Sequence, residues 1–347
     1  MIPERGELLK DRVGGLDTVR CWAALCVLTV HLGGLPLKDG IDTTTQIGRA
    51  FAGFYDLALN AQAAVIVFFL VSGYCIHRPA ATGRPTDWGA YFCKRIIRIG
   101  APMLAILPFL GWSRISFESF HASIYWSLIC EVIYYVSYPV LLAFRRKWGW
   151  WPLIWATLTL SVALNTVFPV QGIQGTLYGR LGPYLTWLIG LPCWLLGAAL
   201  SESPRVLVPA SGRHRLWLWR GCVWFISVGL NVATFHSHFS HSLTLDFFAL
   251  LAFPWLRLEL EHWAVCPPNR FSEWIGRWSY SIYLFHLIPL NWCPTLQQGM
   301  HGLLGTVCST LALLFITLAF CYLFYLCVEL PAHLLAHRLS RLCKRCN

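Results

Sequence analysis

Apolar residues collect in runs long enough to cross a hydrocarbon core of about 30 Å, a distance that takes roughly 17 to 25 residues of helix. Such runs lie at Leu16–Leu35, Leu57–Ile76, Ile124–Phe144, Trp148–Phe168, Tyr184–Leu200, Trp217–Phe235, Leu243–Leu258, Ile275–Leu296 and Leu303–Val328. A weaker one, Gly100–Ile115, is short and carries Pro102 and Pro108. Asp87–Ile99 follows another pattern. Trp88, Phe92, Ile96 and Ile99 share one arc of a helical wheel and Lys94, Arg95 and Arg98 the next, as in an amphipathic helix lying at a membrane surface. The expected fold is all-α: a polytopic membrane protein of about ten transmembrane helices, one domain over residues 1–347. A cytoplasmic segment over 1–15 and a cytoplasmic basic tail over 329–347 flank the spans.

Composition supports the membrane and adds an orientation. With 56% hydrophobic and 12% charged residues, too little charge is present to cover soluble domains of this length. The net charge of +11 comes from short Lys and Arg clusters between apolar runs, so it speaks for bilayer orientation and against nucleic acid as a partner. With ten spans, one side collects Arg78, Arg84, Lys94, Arg95, Arg98, Arg145, Arg146 and Lys147, among others. The other side holds only Lys38, Arg49, Arg114 and Arg180. Omitting Gly100–Ile115 destroys that asymmetry, so it is retained and both termini are expected to be cytoplasmic. The first run lacks a small-residue cleavage site and reads as a retained helix.

No metal is expected. The 14 cysteines are scattered, Cys343 and Cys346 form a CxxC without a second half, and His236, His238 and His241 sit in a loop with no acidic residue before Asp246. No P-loop, GxSxG elbow or HExxH occurs, which removes the usual support for phosphate hydrolysis, lipase-like triads and zinc proteolysis.

The stretch LDTVRCWAALCVLTVH, Leu16–His31, carries the candidate chemistry. At 100° per residue the step from Arg20 to His31 returns to within about 20° of one face, and Asp17 lies about 40° from it. One stripe therefore holds all three. An ionisable group at mid-membrane costs roughly 2.5–3.5 kcal/mol and usually faces a bundle interior or a wet cavity. The plainer alternative is that Arg20 and His31 anchor the helix at the two headgroup layers. Glu131, in the fourth span, calls for a partner such as Arg20 or a tyrosine hydroxyl. His286, in the ninth, suits either packing or function.

These residues resemble a known family. GLDTVRCWAALCVLTVH, with ten residues between Arg20 and His31, is similar to the Arg-x10-His signature of the membrane acyltransferase-3 family. VFFLVSGYCIHR at Val67–Arg78, YFCKRIIRIGAP at Tyr91–Pro102, IYWSLICEVIYYVSYPVLL at Ile124–Leu142, GRWSYSIYLFH at Gly276–His286 and VELP at Val328–Pro331 resemble later blocks in the same order. Gly100 and Ala101 stand where one residue is more usual before Pro102, and the external segment between spans three and four is short. No SGNH-type domain is expected, which leaves acceptor handling to the membrane domain or to a separate protein.

The resemblance implies transfer of an acyl group, commonly acetyl, from cytosolic acyl-CoA to a hydroxyl of a sugar, glycan or lipid-linked acceptor. The expected setting is a bacterial cytoplasmic membrane, with membrane lipids and a homo-oligomer or acceptor-handling protein as partners. His31 is then the general base, with Arg20, Glu131 and His286 completing the catalytic set. Lys94, Arg95, Arg98 and Arg78 hold the CoA phosphates. His286 has three open roles: orienting His31, donating to an oxyanion, or carrying an acyl intermediate. The same buried seam also fits a transporter or flippase for a lipid-linked glycan or a small anion.

Overall fold

Prolines and glycines divide the apolar runs more finely than their lengths suggest. The computed structural model describes residues 13–34, 41–167, 177–203, 213–236, 241–293 and 303–346, which are helical throughout apart from their connections, with no strand among them. The first helices are α1 (Leu16–His31), α2 (Gln46–Leu57), α3 (Ala61–Ala81), α4 (Trp88–Ala105), α5 (Leu107–Ser113) and α6 (Phe117–Phe120). A π-helical turn, His121–Tyr125, leads into α7 (Trp126–Trp148), followed by α8 (Trp150–Val167), α9 (Leu177–Leu200), α10 (Arg213–His236) and α11 (His241–Val265). Next come α12 (Arg270–Gly276), α13 (Ser279–Phe285), α14 (Leu287–Trp292) and α15 (Leu303–Phe324), then a second π turn, Tyr325–Glu329, and α16 (Leu330–Cys346).

Among the described residues, five stretches are long and apolar enough to cross a membrane: Gln46–Ala81, Trp88–Ser113, Phe117–Trp148, His214–Thr234 and Leu303–Cys343, with Leu185–Leu200 as a shorter apolar helix. The other expected spans are helices too, but shorter or more polar. α1 has 16 residues, α11 carries Arg257, Glu259 and Glu261 near its end, and the ninth run is broken into α12, α13 and α14. Pro289 explains the last break, because it cannot donate to the Phe285 carbonyl and its ring crowds that oxygen.

Two boundaries are revised. The amphipathic segment continues into the first part of the weak third span as one helix, α4, which runs through Pro102 and yields to α5 at Ile106, where Pro108 removes the bond to Leu104. The basic residues Lys94, Arg95 and Arg98 thus ride on the earlier turns of a helix whose later turns are apolar. Before α3 lies α2, which the run lengths did not separate. Its Ile47, Phe51 and Phe54, at i, i+4 and i+7, form an exposed apolar stripe.

α3 is the central post. Its residues from Ala63 to His77 are nearly all buried, against α1, α7, α9 and α11. It meets α9 most closely, through glycines: a Cβ on Gly73 would lie 2.0 Å from the Trp194 carbonyl oxygen, and one on Gly197 2.0 Å from that of Leu70. Small residues at such crossings let backbones touch where no hydrophobic force joins helices in lipid. The outer helices turn apolar side chains outward, as at Val132, Val136 and Val140 of α7 and Leu304, Leu311 and Phe315 of α15. That belt suits a lipid surround.

Candidate active site

α1 is placed by two distant contacts. Gly15, with φ 84°, starts it against the Trp263 ring, where a Cβ would lie 2.0 Å from Cδ1. Glu273 of α12 caps it, its Oε1 accepting from the Thr18 backbone N–H (2.9 Å) and the Thr18 hydroxyl (2.8 Å). The polar stripe of α1 faces inward, and its ends, Arg20 and His31, are 11 residues apart, about 17 Å of helix rise.

At the first end, Arg20 donates to Asp17 Oδ1 at 3.2 Å and to Cys75 Sγ at 3.4 Å. Arg98 lies within electrostatic reach of Arg20 and Arg95, and Glu131 of all three. Glu131 is within interaction range of the Ser72 hydroxyl and of those guanidinium groups, Arg20 among them. Ser72 also pairs with Tyr135 Oη at 2.8 Å and accepts from Trp194 Nε1 at 3.3 Å. The Arg95 guanidinium stands 5.9 Å from the ring centres of both Tyr91 and Tyr135. Lys94 is half-buried on the same helix. Arg78 is not brought here: it lies over the Tyr74 ring at 5.9 Å, beside Arg257 and Glu261.

One member escaped the residue-by-residue reading. Glu329, 1% exposed at the end of the second π turn, accepts from the Ser281 N–H at 3.1 Å and the Ser281 hydroxyl at 2.5 Å, facing Arg98 and Arg20. A carboxylate closing the last apolar run is the signal that reveals it, by the same burial argument that picks out Glu131. Further along, the Ser127 and Tyr283 hydroxyls meet at 2.7 Å. A polar seam thus runs between α1, α3, α4, α7 and α13.

At the other end His31 and His286 meet, although 255 residues separate them in the chain. His286 Nε2 is 3.0 Å from His31 Nδ1, with ring centres 5.0 Å apart. His286 Nδ1 lies 2.9 Å from the Ile282 carbonyl oxygen and 3.0 Å from that of Tyr283, so this nitrogen must carry a proton and donate. In the neutral ring Nε2 is then an acceptor. His31 Nδ1, which also lies 3.1 Å from the Val27 carbonyl oxygen, is its donor. That leaves the lone pair of His31 on Nε2. Beside this end of α1 lies a pocket of about 230 Å³, lined by Val30, Gly33 and Gly34 and, from the α2 side, Tyr55, Asp56 and Leu59.

No group of three or more His, Cys, Asp or Glu suited to a metal ion occurs among the described residues. His238 lies outside them. No curated protein and no solved structure matches the chain. A family profile does: the acyltransferase domain of the acyltransferase-3 family covers residues 13–326, taking in both ends of the seam. The chain therefore belongs to the acyltransferase-3 family and is a membrane acyltransferase.

Proposed function

We propose that the protein transfers an acyl group, acetyl in the simplest case, from cytosolic acyl-CoA to a hydroxyl of a sugar, glycan or lipid-linked acceptor, with His31 as the general base. The observation that carries this reading is the fixed tautomer of the histidine pair. With Nδ1–H committed to His286 and Val27, His31 Nε2 is the atom left to take a proton.

The step balances on the protein's own residues and two substrates. His31 Nε2 removes the acceptor's hydroxyl proton as that oxygen attacks the thioester carbonyl. The tetrahedral intermediate collapses, the C–S bond breaks, and the leaving CoA thiolate takes the proton back from the imidazolium. His286 stabilises that imidazolium by accepting from Nδ1. Both of its nitrogens are engaged, which favours the orienting role over acyl carriage or oxyanion donation. The donor's charged end sits at the opposite end of the seam, with Arg95 and Arg98, while its arm lies along the polar side chains toward His31. The acceptor approaches through the pocket next to Gly33 and Gly34. Arg20, salt-bridged to Asp17, orders the donor end together with Glu131.

In the same reading about ten helices cross a bacterial cytoplasmic membrane, both termini are cytoplasmic, and His31 lies toward the outer face. The test is acyl-CoA-dependent thiol release with radiolabel transfer in membranes, wild type against His31→Ala at matched expression. We expect release that needs both an added glycan or lipid fraction and His31. Wild-type turnover in His31→Ala overturns the base assignment, and no release from any acyl-CoA overturns the donor.

A further inference from the structure

Helices α4 and α16 pack along one another and between them hold seven Lys or Arg residues and no Asp or Glu. Surfaces so alike in charge repel, and packing holds them together. Ala332, Ala336 and Ser340 give α16 a buried face of small residues, Ala90 and Ile99 are buried on α4, and the Cys93 and Cys343 thiols lie within interaction range of each other across the joint. As a result His337 stands among Lys94, Arg98, Arg341 and Arg95. Arg95 Nε is buried there without a hydrogen-bond partner. The neighbouring carboxylate, Glu329, is taken up by Ser281 on the inner side of the cluster. A cationic recess with an unsatisfied guanidinium donor is suited to a polyanion with several acceptor oxygens.

We propose that α16 is a wall of the donor's phosphate site, where His337 and Arg341 join Lys94, Arg95 and Arg98 in binding the phosphates of a nucleotide-bearing thioester. This rests on the acyl-CoA reading above and deepens it. The sequence alone makes residues 329–347 a basic tail; the packing makes them part of the site. The shared chemistry is a phosphate group, and we assign it to the donor rather than to a lipid headgroup because Arg95 and Arg98, at the centre of the cluster, also border the seam that leads to His31.

The test compares two donors, acetyl-CoA and S-acetyl-pantetheine, which has the same thioester and no phosphate. Wild type, Arg341→Gln, His337→Gln and Arg338→Gln, the last on the same helix but outside the group of cations named around His337, are assayed in nanodiscs of neutral lipid. Loss of a charge-assisted contact raises KM for acetyl-CoA by about 10-fold or more. We expect that rise in Arg341→Gln and His337→Gln, with kcat and the S-acetyl-pantetheine kinetics unchanged and Arg338→Gln like wild type. Equal impairment with both donors signals a structural role for α16 and overturns the proposal. So does an unchanged KM for acetyl-CoA accompanied by weaker binding of the variants to phosphatidylglycerol vesicles, which assigns the cluster to lipid. In both cases wild-type turnover of acetyl-CoA leaves the acyl-CoA reading standing. A wild type inert toward every acyl-CoA overturns both.

Discussion

Replacing His286 tests the histidine pair without touching the proposed base. His286 is fully buried, and its Nε2 is the acceptor 3.0 Å from His31 Nδ1. His286→Leu keeps an apolar side chain of similar size and removes that acceptor, leaving His31 Nδ1 with only the Val27 carbonyl. In the ground state the lost bond is neutral. In the proposed transition state His31 is becoming an imidazolium, and a hydrogen bond from a charged donor contributes about 1.5–3 kcal/mol. At about 1.36 kcal/mol per tenfold in rate, kcat should fall roughly 10- to 150-fold. KM for the donor should hold, since the proposed site of its charged end lies about 17 Å away along α1. His286→Gln supplies an amide oxygen near the position of Nε2 and should recover most of the loss. The assay is initial-rate thiol release at saturating acceptor, with far-UV circular dichroism and thermal unfolding to confirm folding. A folded His286→Leu enzyme with wild-type kcat refutes the argument, as does an equal loss in His286→Gln.

Other contacts give predictions of stability. Gly73→Ala or Gly197→Ala places a methyl about 2.0 Å from a backbone carbonyl of the facing helix, so α3 and α9 must separate; we expect about 1–3 kcal/mol of destabilisation, read as a lower Tm in detergent. Arg220 makes a bidentate pair with Glu259, which is 3% exposed and also accepts from the Trp255 and Trp263 indoles. Arg220→Ala leaves that carboxylate buried with two neutral donors and should cost about 3–5 kcal/mol, whereas Glu259→Gln in the Arg220→Ala background should recover part of it. Burial alone would raise the Glu202 carboxyl, but hydrogen bonds from Arg145, His77 and Trp150 outweigh it and hold the group below the ordinary carboxylate range. Its stabilising contribution is therefore complete above the unfolded value of about 4.3 and disappears as pH falls through the lower folded value. The stability gap between wild type and Glu202→Gln should be constant near neutral pH and close in acid; a gap that widens in acid contradicts the sign.

Helical periodicity made α1 legible, because Asp17, Arg20 and His31 share a stripe whatever packs against it. Burial cost singled out Glu131 in the same way. What the stripe faces was not legible: Glu273 on Thr18 and His286 on His31 are each contacts over 255 residues, set by how α12 and α13 fold back on α1. The basic turn at Lys94–Arg98 could be read from the wheel, whereas its continuity with the next span could not, since Pro102 argues locally for a break that burial of Ile99 and Pro102 overrides. α2 was overlooked because its apolar stripe is too short to count as a span. For Arg78 the local sequence gives charge without direction, and the fold turns it onto Tyr74.

The π turn at Tyr325–Glu329 has a consequence for how this protein tolerates change. It accommodates one residue more than an α-helical path would need, and everything after it inherits the added rotation. Deleting any one of Tyr325, Leu326, Cys327 or Val328 would swing α16 by about 100° about its axis, carrying His337 and Arg341 off α4. Leu326 and Cys327 are exposed, so their identities are nearly free. The segment acts as a phase shim: the chemistry of its exposed positions can drift, while its residue count is fixed by an alignment made several turns downstream.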